Sequence, residues 1–145
     1  MPMYPKHDED FYGWAMTEVQ LLKEGKLSEL DIDNLIEELE NMGVSEKNQL
    51  ENRLSQLLMH LLKWQFQHNL QSKSWEISIK KQRRGIRKII RQNPSLKAKI
   101  DQCMMDAYQD AREDAADETG LDEKTFPSKC PYAFEQLMDD TFYPE

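Results

Sequence analysis

What this chain has little of sets its class. Glycine and proline supply only five and six of 145 residues, too few for the turn-dense sandwiches and barrels of all-β proteins. Cysteine is limited to Cys103 and Cys130, which excludes a disulfide scaffold and suits reduced thiols in a cytoplasmic protein. Apolar runs stop at three residues, as in Leu57-Leu58-Met59, far short of the roughly 18 that a membrane helix needs. Met1 to Asp10 hold no apolar core behind a basic start, so no secretory signal is expected. Hydrophobic residues reach only 39% and charged residues 32%, a polar balance that still suits one small globular domain. One helical domain over 1–145 is expected, with 1–7 a flexible terminus and 121–145 a loop-rich tail.

What is there is charge, arranged in three blocks. Residues 1–52 hold 13 acids and 4 bases, residues 53–100 hold 12 bases and one acid (Glu76), and residues 101–145 hold 13 acids and 3 bases. The net charges are −9, +11 and −10, and together they return the overall −8. Such a chain neutralises much of itself on folding, and whatever part of the basic block stays uncovered is an anion-binding surface.

Apolar spacing is helical nearly throughout. A first helix is expected from an N-cap near Asp8 through Phe11, Trp14, Ala15, Val19 and Leu22 to Gly25. A second begins near Ser28–Asp31, carries Ile32, Leu35, Ile36, Leu39 and Met42, and ends at Gly43. Ser45 then reads as the cap of a third, roughly 46–68, with Leu50, Leu54, Leu57, Leu61 and Trp64 on one face. Leu58, Leu62, Met59 and Phe66 widen that face past half the circumference, leaving Arg53, Gln56, His60, Lys63 and Gln67 as the polar strip. A helix so apolar is normally the central one.

The fourth helix starts near Ser72 or Ser74, buries Trp75, Ile79, Ile86, Ile89 and Ile90, and stops at Asn93-Pro94, because the residue before proline avoids helical geometry. Ser95 reads as the cap of a fifth, with Leu96, Ile100, Cys103, Met104, Ala107, Tyr108 and Ala111 inward and Gly120 past its end. A short helix near Tyr132–Asp139 follows, with Pro131 suited to its first turn. The class is all-α: a bundle of about five helices plus a short C-terminal one.

Several segments in order carry a resemblance. They are Asp10-Phe11-Tyr12 with Trp14, Leu30-Asp31 with Asn34-Leu35-Ile36-Glu37-Glu38, and His60-Leu61-Leu62-Lys63-Trp64-Gln65. Ser74-Trp75, Pro94-Ser95-Leu96, Glu118-Thr119-Gly120-Leu121, Phe126-Pro127 and Cys130-Pro131-Tyr132 continue the series. Over roughly residues 7–143 the chain resembles the bacterial family called domain of unknown function twenty-nine, common in cyanobacteria. That resemblance implies a helical fold and brings no established activity, cofactor or catalytic residue.

Chemistry is sparse. No Glu precedes a His by three, the spacing of carboxylate-bridged metal sites, although Glu37 and Glu40 share a helical face. Cys103 and Cys130 stand 27 residues apart without a neighbouring ligand, so neither metal nor other cofactor is expected. Nucleophile-elbow, Walker and dinucleotide-binding glycine motifs are absent. His60 is the one semi-buried histidine, read as a hydrogen-bonded core residue whose pKa Lys63 would lower and Glu37 or Glu38 would raise. Enzyme chemistry, if any, would centre on His60 with Glu37 and Glu40.

The sharpest feature is the stretch Lys80-Lys81-Gln82-Arg83-Arg84-Gly85-Ile86-Arg87-Lys88-Ile89-Ile90-Arg91. Lys80, Lys81, Arg84, Arg87, Lys88 and Arg91 occupy about 120° of the fourth helix opposite its apolar face, with Arg83 on the flank. Asp106, Asp110, Glu113 and Asp117 form an acidic stripe on the fifth helix, expected to reach Arg83 and Arg87 sideways. Lys80, Arg84, Lys88 and Arg91 are expected to stay partly unpaired. The resulting reading is a non-catalytic interaction protein. Its binding residues are Lys80, Arg84, Arg87, Lys88 and Arg91, and its occupant is an acidic protein partner or a second copy. Nucleic acid is the alternative, weakened by a pI near 5.0 and by the absence of interleaved aromatic residues. A membrane surface is not expected, because the core needs the apolar face.

Overall fold

A computed structural model describes residues 3–145. The architecture is all-α, with no strand among the described residues. Helices α1 (Phe11–Lys23), α2 (Ile32–Phe66), α3 (Lys73–Gln92), α4 (Ile100–Thr119) and the short α5 (Phe134–Leu137) follow in order. The chain divides into two compact units, with the boundary between Val44 and Ser45.

The helix ends follow local chemistry. Asp10, not Asp8, caps α1, its carboxylate accepting from the Gly13 amide at 3.0 Å. Gly25 just past α1 and Gly120 just past α4 sit at φ 70° and 74°, the left-handed geometry in which a glycine ends a helix without steric cost. Ser72 caps α3 by accepting from Trp75 N–H at 3.2 Å.

Two expected boundaries dissolve. Gly43 does not end a helix and Ser45 does not start one, because both lie inside the 35-residue α2. A glycine within a helix costs only about 1 kcal/mol, whereas ending and restarting would leave up to eight backbone groups without helical partners. Ser95 likewise caps nothing: Pro94–Lys99 wind as a 3₁₀ segment and α4 begins at Ile100. The last helix spans Phe134–Leu137 rather than 132–139, and Pro131 lies outside it.

In the unit before Ser45, α1 runs antiparallel beside the start of α2. Trp14 Nε1 donates to Asp31 at 2.9 Å, the buried Glu18 carboxylate accepts from the Asp31 amide, and His7 pairs with Glu38 at 2.7 Å. Asn34 adds a second donor to Asp31 at 2.8 Å, and these bonds hold the Asp31 carboxyl below its ordinary pKa.

In the unit from Ser45, Leu50, Leu54, Leu57, Leu58, Leu61 and Leu62 of α2 are fully buried. They share one core with Ile79, Ile86 and Ile89 of α3 and Cys103, Met104, Ala107, Tyr108, Ala111 and Ala115 of α4. Phe126, Tyr132 and Leu137 complete it, so the segment after α4 supplies core. Tyr132 donates to Gln65 Oε1 at 2.6 Å, and Tyr108 donates to the Pro127 carbonyl at 2.6 Å, its hydroxyl pKa pushed up to about 12 by burial.

Candidate functional site

The basic block resolves into an anchor and a groove. Arg83 lies four residues after Ile79 and three before Ile86, in phase with the apolar stripe of α3, and it is fully buried. Its Nε donates to the Leu137 carbonyl at 2.6 Å and its Nη2 to the Phe142 carbonyl at 2.7 Å, with the Tyr143 ring 5.4 Å away. Among the described residues no carboxylate forms an ion pair with it, and burial lowers its pKa. Carbonyl dipoles of the C-terminal segment therefore stand in for a counter-ion.

The expectation that the acidic stripe of α4 engages Arg83 and Arg87 is corrected here. Arg87 turns instead to the C-terminal segment, donating to the Met138 carbonyl and to Asp140 at 2.7 Å. Asp106, Asp110, Glu113 and Asp117 are all exposed, and none makes an ion pair among the described residues. The segment 137–142 passes over the same flank of α3 and supplies the acceptors for both guanidinium groups.

Opposite the core the cations remain available. Lys80 pairs with Glu76 at 3.2 Å yet stays half-exposed. Arg84, Lys88 and Arg91 are exposed and, among the described residues, make no ion pair. Two hollows meet at Arg87. One, of about 390 Å³, is lined by Ile77, Lys80, Arg84, Arg87 and Asp140. The other, of about 490 Å³, is lined by Arg87, Ile90, Arg91, Pro94, Lys97, Phe134 and Met138. Together they form a shallow groove lined by cations, by apolar side chains and by one carboxylate, Asp140. Lys88 lines neither hollow.

Sequence reasoning missed Lys97, Phe134 and Met138, because a linear pattern does not show which residues the last helix brings beside α3. Arg83 was legible in principle, since its phase is that of a core residue.

The sequence pattern of the family described as domain of unknown function DUF29 matches residues 6–143. The chain belongs to the DUF29 family. No curated protein and no solved structure matches it.

The other candidates in this DUF29 chain line neither hollow. His60 is half-buried, its Nδ1 donating to the Gln56 carbonyl at 2.8 Å. Burial first, and Lys63 after it, lower its pKa, while Glu38 is engaged by His7. Lys63, expected in the polar strip, is buried, with Nζ 3.2 Å from Glu118 and 4.8 Å from the centre of the Trp75 ring. Glu37 and Glu40 are exposed. Among the described residues no group of three or more His, Cys, Asp or Glu could hold a metal ion. Cys103 is buried, Cys130 is half-buried and both are free, with burial raising each thiol's pKa. No helix among the described residues is long and apolar enough to cross a membrane.

Proposed function

We propose that this DUF29 chain is a non-catalytic interaction protein of the cytoplasm whose groove beside α3 takes an acidic segment of a partner protein. One observation carries the reading: Arg84 and Arg91, without an ion pair among the described residues, line the same groove as the apolar side chains Ile77, Ile90, Phe134 and Met138. Cations interspersed with apolar side chains suit a peptide that presents carboxylates and apolar side chains together. A phosphate backbone would use the cations and leave the apolar side chains without a partner, and among the described lining residues Phe134 is the one aromatic that could stack a base.

The test replaces Arg84, Lys88 and Arg91 with serine. Each exposed change is expected to alter stability by no more than about 0.5 kcal/mol, so the fold persists. Binding of a labelled acidic, leucine-containing peptide should weaken at least tenfold, mainly through the on-rate at low salt. A single-stranded oligonucleotide of equal charge is titrated in parallel at about 50 and about 200 mM salt. Oligonucleotide binding that is tighter than the peptide's and falls by orders of magnitude over that range overturns the reading in favour of nucleic acid. Equal binding by parent and variant removes the groove from consideration.

A further inference from the structure

Among the described residues, thirteen of the sixteen exposed large hydrophobic side chains, Met3 through Val44, precede Ser45; the other three are Leu70, Ile77 and Met105. The excess belongs to the antiparallel pair formed by α1 and the start of α2. On α1, Trp14, Glu18 and Leu21 are buried, while Phe11, Val19 and Leu22 fall on an adjacent arc of about 80° and remain exposed. On α2, Asn34, Leu35 and Glu38 are half-buried, while Ile32, Ile36 and Leu39 fall within an arc of about 60° and are exposed. Each exposed arc is displaced from its helix's inner side in the same rotational sense. On antiparallel neighbours that places both arcs on the same side of the pair.

We infer that this face docks against the same face of a second copy, two helices from each chain closing a four-helix arrangement. The area fits. Side chains of this size offer roughly 150 to 200 Å² each when fully exposed, so six that are about half-exposed leave about 500 Å² of apolar surface. An interface of standard size takes about 800 Å² from each partner, about 60% of it apolar. The six central side chains carry no charge, and a two-fold axis through such a patch makes it self-complementary. Around them the segment is acidic: residues 1–44 hold 11 acids and 3 bases, a net of −8. Two such segments repel, so association by this face must tighten as salt screens the charge. Binding in the basic groove must instead weaken with salt, which separates the two surfaces.

The experiment is sedimentation equilibrium of the full chain over a wide micromolar range at about 0.1 and about 1 M salt. The expected result is a monomer–dimer equilibrium whose Kd falls severalfold at high salt. Leu39, 65% exposed, is replaced by glutamate; Leu39→Glu should raise Kd by about a hundredfold or more, because each dimer would bury two unpaired carboxylates. Circular dichroism of the variant should match the parent, and Leu39→Met should leave Kd within a few-fold. A chain that stays monomeric throughout overturns the inference and leaves the face to a different partner. A dimer that weakens with salt, or that survives Leu39→Glu unchanged in a folded variant, overturns it as well.

Discussion

Replacing Arg83 with methionine isolates the anchor, because methionine fills much of the same volume without charge or donors. Two short hydrogen bonds, 2.6 Å to Leu137 and 2.7 Å to Phe142, disappear. Bonds from a charged donor contribute about 1.5–3 kcal/mol each, and a buried carbonyl left without a donor costs about 1–3 kcal/mol. The opposing term is the relief of a desolvated guanidinium, which in some proteins makes an apolar replacement neutral or stabilising. Here the partners are main-chain carbonyls that cannot be replaced along with the arginine, so their loss dominates. The expected cost is about 2–4 kcal/mol. Urea unfolding monitored by circular dichroism reads the total. Amide exchange locates it: protection should fall first around Leu137–Phe142 while the α2 core stays protected. Arg83→Lys keeps the charge but not the planar fork and should fall between parent and Arg83→Met. If Arg83→Met is as stable as the parent and its C-terminal amides exchange no faster, the anchor does not exist in the form described.

Leu57 is fully buried in the α2 core, so Leu57→Ala should cost about 2–5 kcal/mol through lost burial and a residual cavity, read by the same unfolding assay. His60→Gln should cost about 1 kcal/mol near pH 7.5 by loss of the bond to Gln56. The folded His60 pKa lies below its ordinary 6.5, so the unfolded chain takes up the proton first as pH falls. The contribution of the neutral ring is therefore complete above pH 6.5 and is lost below it. Melting temperatures of parent and His60→Gln should converge on moving to about pH 5, and a gap that widens there would refute the assignment of a neutral half-buried ring.

Helical class, the buried leucines of α2 and the glycine stops at Gly25 and Gly120 were all legible from spacing and turn chemistry. Gly43 was not, because a glycine reads as a terminus only when nothing else favours continuing the helix, and the two-sided context is invisible one position at a time. Ser95 failed for a related reason, since a serine after proline suits a tight 3₁₀ turn as well as a cap. Around the groove, Lys80, Arg84 and Arg91 could be placed on the outer face of α3 from phase alone. The division of labour between Arg83, Arg87 and the free cations could not, because it depends on where residues 137–142 lie.

The segment after α4 also decides how this protein must fold. The bond from Tyr132 to Gln65 spans 67 residues and that from Arg83 to Phe142 spans 59. Helices of this length form within microseconds, but closing a loop of about 60 residues costs about 2 kcal/mol more than closing one of four. The last core layer, with Tyr132 and Leu137, is therefore expected to assemble after the helices, with its contacts weak when the folding barrier is crossed. Changes there, Arg83→Met included, should accelerate unfolding and leave the folding rate nearly unchanged, so the latch sets the lifetime of the folded state rather than the speed of reaching it.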